Sequence, residues 1–328
     1  MPETREKAQT GARRFIKPAS LALVSAAILI LLLSMTGVSP GRLGRALSGA
    51  NAWIIVCVAL FSAAWHVFVG ADKLYRVLTN LVPGGRDLRF GAVLRMRLGS
   101  GPFRVLLPVD AGDVLSVLYL WRGCGAAPEA ASGAVIFDRG LNLIGTGFWL
   151  MLGLGLWGNR PESSRAALGL LLAGLYCLFL FARPVHSLLI RWAGRISDKA
   201  WRIASGVLAP FSQAGLLHKL LFAAYGIVFQ LRPLIVCYFL FGAFGVWLPV
   251  SSFLAPACLC VLAGHVPSAA GIGPREAAFL LFFAGAAPDP VLLSVGLLQS
   301  LTVHVIPMLC GAPWVLWYLS GLRCKPGA

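Results

Sequence analysis

Apolar residues gather along this chain into blocks of span length, separated by short stretches rich in arginine, glycine and proline. About 20 apolar residues are needed for a helix to cross ~30 Å of hydrocarbon, and several blocks reach that length. They lie at about 19–36, 52–71, 133–158, 166–182, 216–245 and 290–320. The block at 216–245 reads as one tilted span interrupted at Arg232-Pro233, and the last as a span kinked at Pro307 and Pro313. The opening segment has the basic flank and apolar run of a signal peptide. Its apolar run is long, however, and no A-x-A-like cleavage site follows, so it reads as a retained first span.

Two regions fit neither a span nor a loop. Residues 103–127 and 250–286 are apolar runs broken in the middle by proline, glycine and polar side chains, and each half is too short to cross a bilayer. The breaks share a pattern: Pro108-Val-Asp-Ala111-Gly112 aligns with Pro267-Ser-Ala-Ala270-Gly271. Matched interruptions in the two halves of a membrane protein predict an inverted repeat with a site where the breaks meet. The expected architecture is an all-α polytopic membrane protein with six spans and two oppositely oriented re-entrant helical hairpins. It is one integral membrane domain over 1–328. A basic N-terminus fills 1–18, a first half runs 19–182 with its hairpin near 103–127, and a basic loop covers 183–215. A second half runs 216–320 with its hairpin near 250–286.

Composition agrees with a lipid solvent. The 328 residues are 58% hydrophobic and 12% charged, with a mean hydropathy of +0.81, and about 25% charge is usual for soluble domains. The net charge of +16 sits in short stretches between apolar blocks. It therefore reads as topology and lipid-headgroup contact, and no basic-aromatic module for nucleic acid is present. Lys73, Arg76, Arg86, Arg89, Arg95, Arg97 and Arg104 after the second span oppose only Asp72 and Asp87. The positive-inside rule puts that stretch, the 183–215 loop and both termini in the cytoplasm of a bacterial inner-membrane protein. The eight cysteines include no C-x-x-C pair and read as reduced apolar groups.

Candidate chemistry concentrates at the breaks. Unwound backbone at membrane depth must be buried in protein or line a wet cavity. Gly271 and Gly273 allow positive φ, and a helix starting near Pro274 would present free N–H groups to an anion. Arg275 adds a planar donor fork suited to phosphate or carboxylate. Glu276 either complements the helix dipole or takes part in the cavity. In the first half, Asp138-Arg139 is a structural ion pair with Asp113 as partner, or Arg139 is a second anion ligand held by Asp113 or Asp138. Asp110 and Asp113 form a short D-x-x-D that no second acidic cluster supports as a metal site. The five histidines are scattered, with His265 at the second break and His304 in the last span beside Gln299. No catalytic set, metal site or cofactor fingerprint is legible.

At these motifs the sequence resembles a known family. P-V-D-A-G-D-V-L-S at 108–116, I-F-D-R-G-L-N at 136–142 and P-S-A-A-G-I-G-P-R-E-A-A at 267–278 follow the order and spacing of the lysylphosphatidylglycerol synthase transmembrane-region, or flippase-like, family. The resemblance covers about residues 15–320, the membrane region without an aminoacyl transferase domain, so it gives no support for aminoacylation. It implies a lipid- or glycolipid-translocating domain whose inverted hairpins meet at a headgroup cavity. Carried onto this chain, the positions are Gly112, Asp113, Asp138, Arg139, Gly271, Gly273, Arg275 and Glu276. Where relatives often carry Arg three residues after the G-D aspartate, this chain has Ser116.

The expectation is a lipid flippase or transporter, not an enzyme, moving an anionic phospholipid, glycolipid or lipid-linked headgroup, with no cofactor. Two alternatives stand beside it: a non-catalytic partner of a lipid or cell-envelope biosynthesis enzyme, and an integral-membrane enzyme acting on a lipid phosphate. Membrane lipids are the expected partners, with a lipid-biosynthesis enzyme and a second copy of the chain as further ones, and no nucleic acid.

Overall fold

The computed structural model describes residues 23, 25–81, 88–106, 111–157, 161–181, 183–198, 200–202, 204–205, 215–266, 268 and 271–323. Every regular element among them is helical. That is the expected solution in lipid, where a helix satisfies its backbone hydrogen bonds within its own segment. Helix α1 (Ser25–Thr36) meets α2 (Pro40–Ser48) at a 90° bend. Then come α3 (Ala52–Leu81), α4 (Phe90–Leu106), α5 (Ala111–Cys124), α6 (Pro128–Leu156), α7 (Glu162–Phe181) and α8 (Arg183–Ile196). The second half contains α9 (Leu216–Ala243), α10 (Val250–Ala263), α11 (Pro274–Phe282) and α12 (Asp289–Ser300). A π turn (Leu301–Val305) leads from α12 into α13 (Ile306–Gly311), and a 3-10 turn (Ala312–Trp314) leads into α14 (Val315–Arg323).

Four stretches are long and apolar enough to cross a membrane: Ala52–Asn80, Ala130–Leu156, Leu216–Ala243 and Asp289–Ser320. The bent α1–α2 pair makes a fifth if it counts as one span. On α3, Trp53, Leu60 and Phe68 lie on one helical face and are exposed, as a lipid-facing stripe should be. Between the long helices lie two pairs of shorter ones, α4 with α5 and α10 with α11, each packed limb against limb. The basic N-terminus and the first break at 107–110 lie outside the described residues.

Helix α6 is the hub, packing against α5, α7, α9 and α10. Glycine allows three of these approaches. A Cβ on Gly145 would overlap the Gly226 backbone of α9, one on Gly153 the Ala255 backbone of α10, and one on Gly155 the Gly169 backbone of α7. Small residues at such crossings are the usual means of close helix association where lipid gives no hydrophobic drive.

Two sequence expectations change. Helix α9 runs unbroken through Arg232-Pro233, and the Pro233 carbonyl accepts a hydrogen bond from Gln299 Nε2 at 3.1 Å. Near Pro307 and Pro313, where kinks are expected, a π turn and a 3-10 turn interrupt the α geometry. The basic stretch after the second span is largely helical, and two of its cations, Lys73 on α3 and Arg97 on α4, are buried. A specific partner in space overrides the local charge pattern there.

Candidate functional site

The second break supplies a tightly built centre. Helix α10 stops at Gly264, the chain passes through Gly271 (φ +77°) and Gly273 (φ +102°), and α11 begins with Pro274. Side chains other than glycine rarely adopt those backbone angles. Glycine also makes room. A Cβ on Gly264 would strike the Arg275 guanidinium, and one on Gly271 would come within 3.0 Å of its Nη2. Arg275 is 4% exposed; it donates from Nη1 to Ser300 Oγ at 2.9 Å and from Nη2 to His304 Nε2 at 2.9 Å. A guanidinium can only donate, so His304 accepts there.

Glu276 is fully buried and folds back to accept the Gly273 N–H, while Ser300 Oγ donates to its other oxygen at 3.1 Å. Ser300 thus bridges Arg275 and Glu276, whose side chains diverge from one helical turn. At the N-terminus of α11, expected to offer free N–H groups to an anion, one N–H, that of Gly273, is taken by the chain's own carboxylate. Both roles considered for Glu276 converge on that position, since it caps the helix and lies in the polar centre.

In the first half, Gly112 is buried at the start of α5, and its carbonyl accepts from Ser116 Oγ at 2.8 Å. Arg139 grips Asp113 with two parallel bonds, Nε to Oδ2 at 2.7 Å and Nη2 to Oδ1 at 2.9 Å. The Arg139 side chain is 46% exposed and that of Asp113 13%, so this pair looks outward. Asp138 faces elsewhere, because neighbours on a helix point about 100° apart. It takes Lys73 Nζ at 2.9 Å and stands 4.0 Å from Arg97 Nη1. Lys73 also donates to Asn142 Oδ1 at 2.6 Å, and Arg97 Nε to the His66 carbonyl at 3.2 Å. Of the two holders expected for Arg139, Asp113 fills the role and Asp138 anchors α3 to α6 instead.

Sequence reasoning passed over Lys73, Arg97 and Arg232 as site residues. All three collect around the Phe229 ring, with Lys73 Nζ at 4.5 Å from its centroid and the guanidinium carbons of Arg97 and Arg232 each at 5.5 Å. Arg232 is 6% exposed, and no acceptor among the described residues meets its Nε or Nη1. Burying a charge without a counter-ion costs several kcal/mol, and a desolvated cation–π contact returns about 2 kcal/mol or somewhat more, only part of that cost. The signal was present in the sequence: Arg232 is the one charged side chain of α9 beyond Lys219, and an intramembrane charge is a functional hypothesis by default.

The charged centres of the two halves share one electrostatic neighbourhood. Arg232 lies within Coulombic reach of Arg97 and Arg275, and His304 within reach of Arg275, Arg232, His265 and Arg139. No group of three or more His, Cys, Asp or Glu side chains suited to a metal occurs among the described residues. Asp110 lies outside them. Chemically, the arrangement offers several fixed donor forks and no nucleophile–base pair among the groups described. It can bind and orient an oxyanion.

Comparison with known proteins gives one family. The sequence model described as the lysylphosphatidylglycerol synthase TM region matches residues 19–311, most of the chain and all of the helical breaks just described. Neither the curated proteins nor the solved structures returned a match.

Proposed function

We propose that this chain, which belongs to the lysylphosphatidylglycerol synthase transmembrane-region family, moves an anionic phospholipid, glycolipid or lipid-linked headgroup between the leaflets of a bacterial inner membrane. The pairs α4–α5 and α10–α11 are two re-entrant hairpins of opposite orientation, each following a long helix (α3, α9) and preceding another (α6, α12 onward). That repeated order of elements is what an inverted repeat requires. The family places the chain among membrane proteins of lipid modification or transport, and transport is the finer reading argued here.

One observation carries it: Arg139 is half-exposed on a bidentate partner, within electrostatic reach of the buried Arg275–Ser300–His304 centre. An anionic headgroup arriving at Arg139 can displace Asp113 without leaving a buried charge, since Asp113 keeps partial access to water. The buried arginines beyond offer further donors at a depth where lipid offers none. A headgroup then exchanges one set of guanidinium contacts for another and never enters hydrocarbon unpaired, which would cost several kcal/mol. Both termini lie in the cytoplasm in this reading, and neither turnover nor a cofactor is needed.

The test is leaflet exchange of fluorescent anionic phospholipids in proteoliposomes containing the full chain, against Arg139→Ala and Arg275→Ala, each verified as monodisperse. Exchange by the wild type that falls in both variants supports the reading. Folded wild type that exchanges no headgroup across an anionic series refutes it and favours a partner of a lipid-synthesis enzyme.

A further inference from the structure

The buried charges near the breaks do not balance. Lys73, Arg97, Arg232 and Arg275 are each at most 6% exposed, and the buried acids are Asp138 and Glu276. Lys219, another buried cation, lies about 20 Å along α9 from Arg232 at 1.5 Å rise per residue, too far to share a ligand. Asp138 is taken by Lys73 and Arg97, and Glu276 by Ser300 and the Gly273 N–H. The exposed Arg139–Asp113 pair is neutral as a unit. Two positive charges are therefore left over among the described residues, and Arg232 interacts with both of the other guanidinium groups.

We propose that Arg232, flanked by Arg97 and Arg275, is a deep oxyanion subsite that takes a doubly charged phosphate, a phosphomonoester or diphosphate, in preference to a singly charged phosphodiester. Arg97 and Arg232 sit at the same distance from the Phe229 centroid, so the two charges lie within twice that distance of one another. Arg232 and Arg275 interact as like charges as well. Three like charges gathered away from water repel one another strongly unless an anion joins them. A phosphate with three terminal oxygens can accept from several forks at once, and its two charges cancel the excess. The buried Nε and Nη1 of Arg232 are donors that no acceptor among the described residues meets. Phe229 holds the side chain in place meanwhile, its ring giving the cation a partial partner. Lipid phosphomonoesters and soluble phosphate share this chemistry.

The subsite deepens the transport reading by naming the headgroup class, and its test is a binding measurement that stands apart from leaflet exchange. Full-length protein in phosphatidylcholine nanodiscs would be titrated with labelled phosphatidic acid at pH 8, above the second phosphate ionisation near about 6. Competitors would be unlabelled phosphatidic acid, phosphatidylglycerol and inorganic phosphate. Wild type should prefer phosphatidic acid to phosphatidylglycerol by about tenfold or more, the scale of one charge-assisted hydrogen bond. Arg232→Gln should erase that preference, weakening phosphatidic acid by about tenfold more than phosphatidylglycerol. Competition by inorganic phosphate at the strength of the lipid assigns the site to a soluble oxyanion, and competition by lipid alone assigns it to a headgroup.

Equal affinity of wild type for the two lipids, or a preference that survives Arg232→Gln, overturns the proposal. Should Arg232→Gln fail to fold, Arg232→Lys decides. It keeps the charge without the planar fork, so full affinity in that variant also overturns the subsite. Leaflet exchange without a phosphomonoester preference removes the subsite and leaves transport. The preference without exchange removes transport and leaves the subsite.

Discussion

Asp138→Asn tests the buried charge geometry most directly. Lys73 has no exposed side-chain surface; its Nζ pairs with Asp138 Oδ1 at 2.9 Å and donates to the Asp138 carbonyl at 2.9 Å. At an effective dielectric of about 20, the Coulomb attraction at that separation is about 6 kcal/mol. Desolvation of the two ions has already offset most of that gain, so the pair itself adds little to stability. Breaking it is another matter. The amide leaves a fully buried ammonium with Asn142 Oδ1 as its remaining side-chain acceptor, and such a loss costs roughly 3–5 kcal/mol. Lys73→Met with Asp138→Leu removes both charges together and should cost less than the two single losses added, the remainder coming from the Asn142 acceptor left without a donor and from buried Arg97, which loses the carboxylate 4.0 Å away. The assay is reversible denaturant unfolding in mixed micelles, followed through the ten tryptophans, for wild type, both single variants and the double. A double variant whose loss equals the sum of the singles would show no coupling and would refute the ion pair as the reason for this geometry.

Asp113→Asn should alter stability by less than about 1 kcal/mol, because its partner Arg139 is half in water. Leaflet exchange should change at the same time, and a large loss of stability with unaltered exchange would reverse the roles assigned to the two ion pairs. Ser300→Ala removes the hydroxyl between Arg275 and Glu276 and should cost about 1–3 kcal/mol in the same unfolding assay. A neutral result there would mean that water replaces the hydroxyl. Gly273→Ala forces a side chain to φ +102° and places its Cβ 3.0 Å from Ile28, for a loss of about 1–3 kcal/mol. Pairing it with Ile28→Ala should recover little, since backbone conformation dominates; full recovery would assign the loss to the contact instead.

The second break was legible because its chemistry is local. Proline and glycine spacing in P-S-A-A-G-I-G-P announces where α10 must end and α11 begin, and positive φ at Gly271 and Gly273 follows from the residue type. The partner of Arg139 was half legible, since two nearby carboxylates were available and helix geometry had to choose one. Lys73 and Arg97 misled for a physical reason. A charge count along the chain assigns them to a cytoplasmic loop, whereas their burial is decided by Asp138, 65 residues beyond Lys73 in sequence. The continuing apolar stripe Leu74, Val77 and Leu78 was the available sign that α3 extends past its apolar block. Proline drew attention away from Arg232, as Pro233 suggested a break where the helix simply loses one hydrogen bond.

These placements separate two kinds of ion pair that look alike in the sequence. Asp138-Arg139 reads as one unit, yet its members serve opposite ends. Asp138 points inward and fixes α6 to α3 and α4 through cations that water does not reach, so its loss is felt as instability. Arg139 points outward to a carboxylate that water can rehydrate, so its partner can be exchanged at small cost. The proposed movement of an anionic headgroup needs both. Contacts that never open keep the broken helices in register, and contacts that open reversibly admit the ligand. Arg232 belongs to neither class: it is as deep as the first, and no acceptor among the described residues meets its Nε or Nη1. On the proposed reading its compensating partner is an anion, the sign that the basic groups around Phe229 call for.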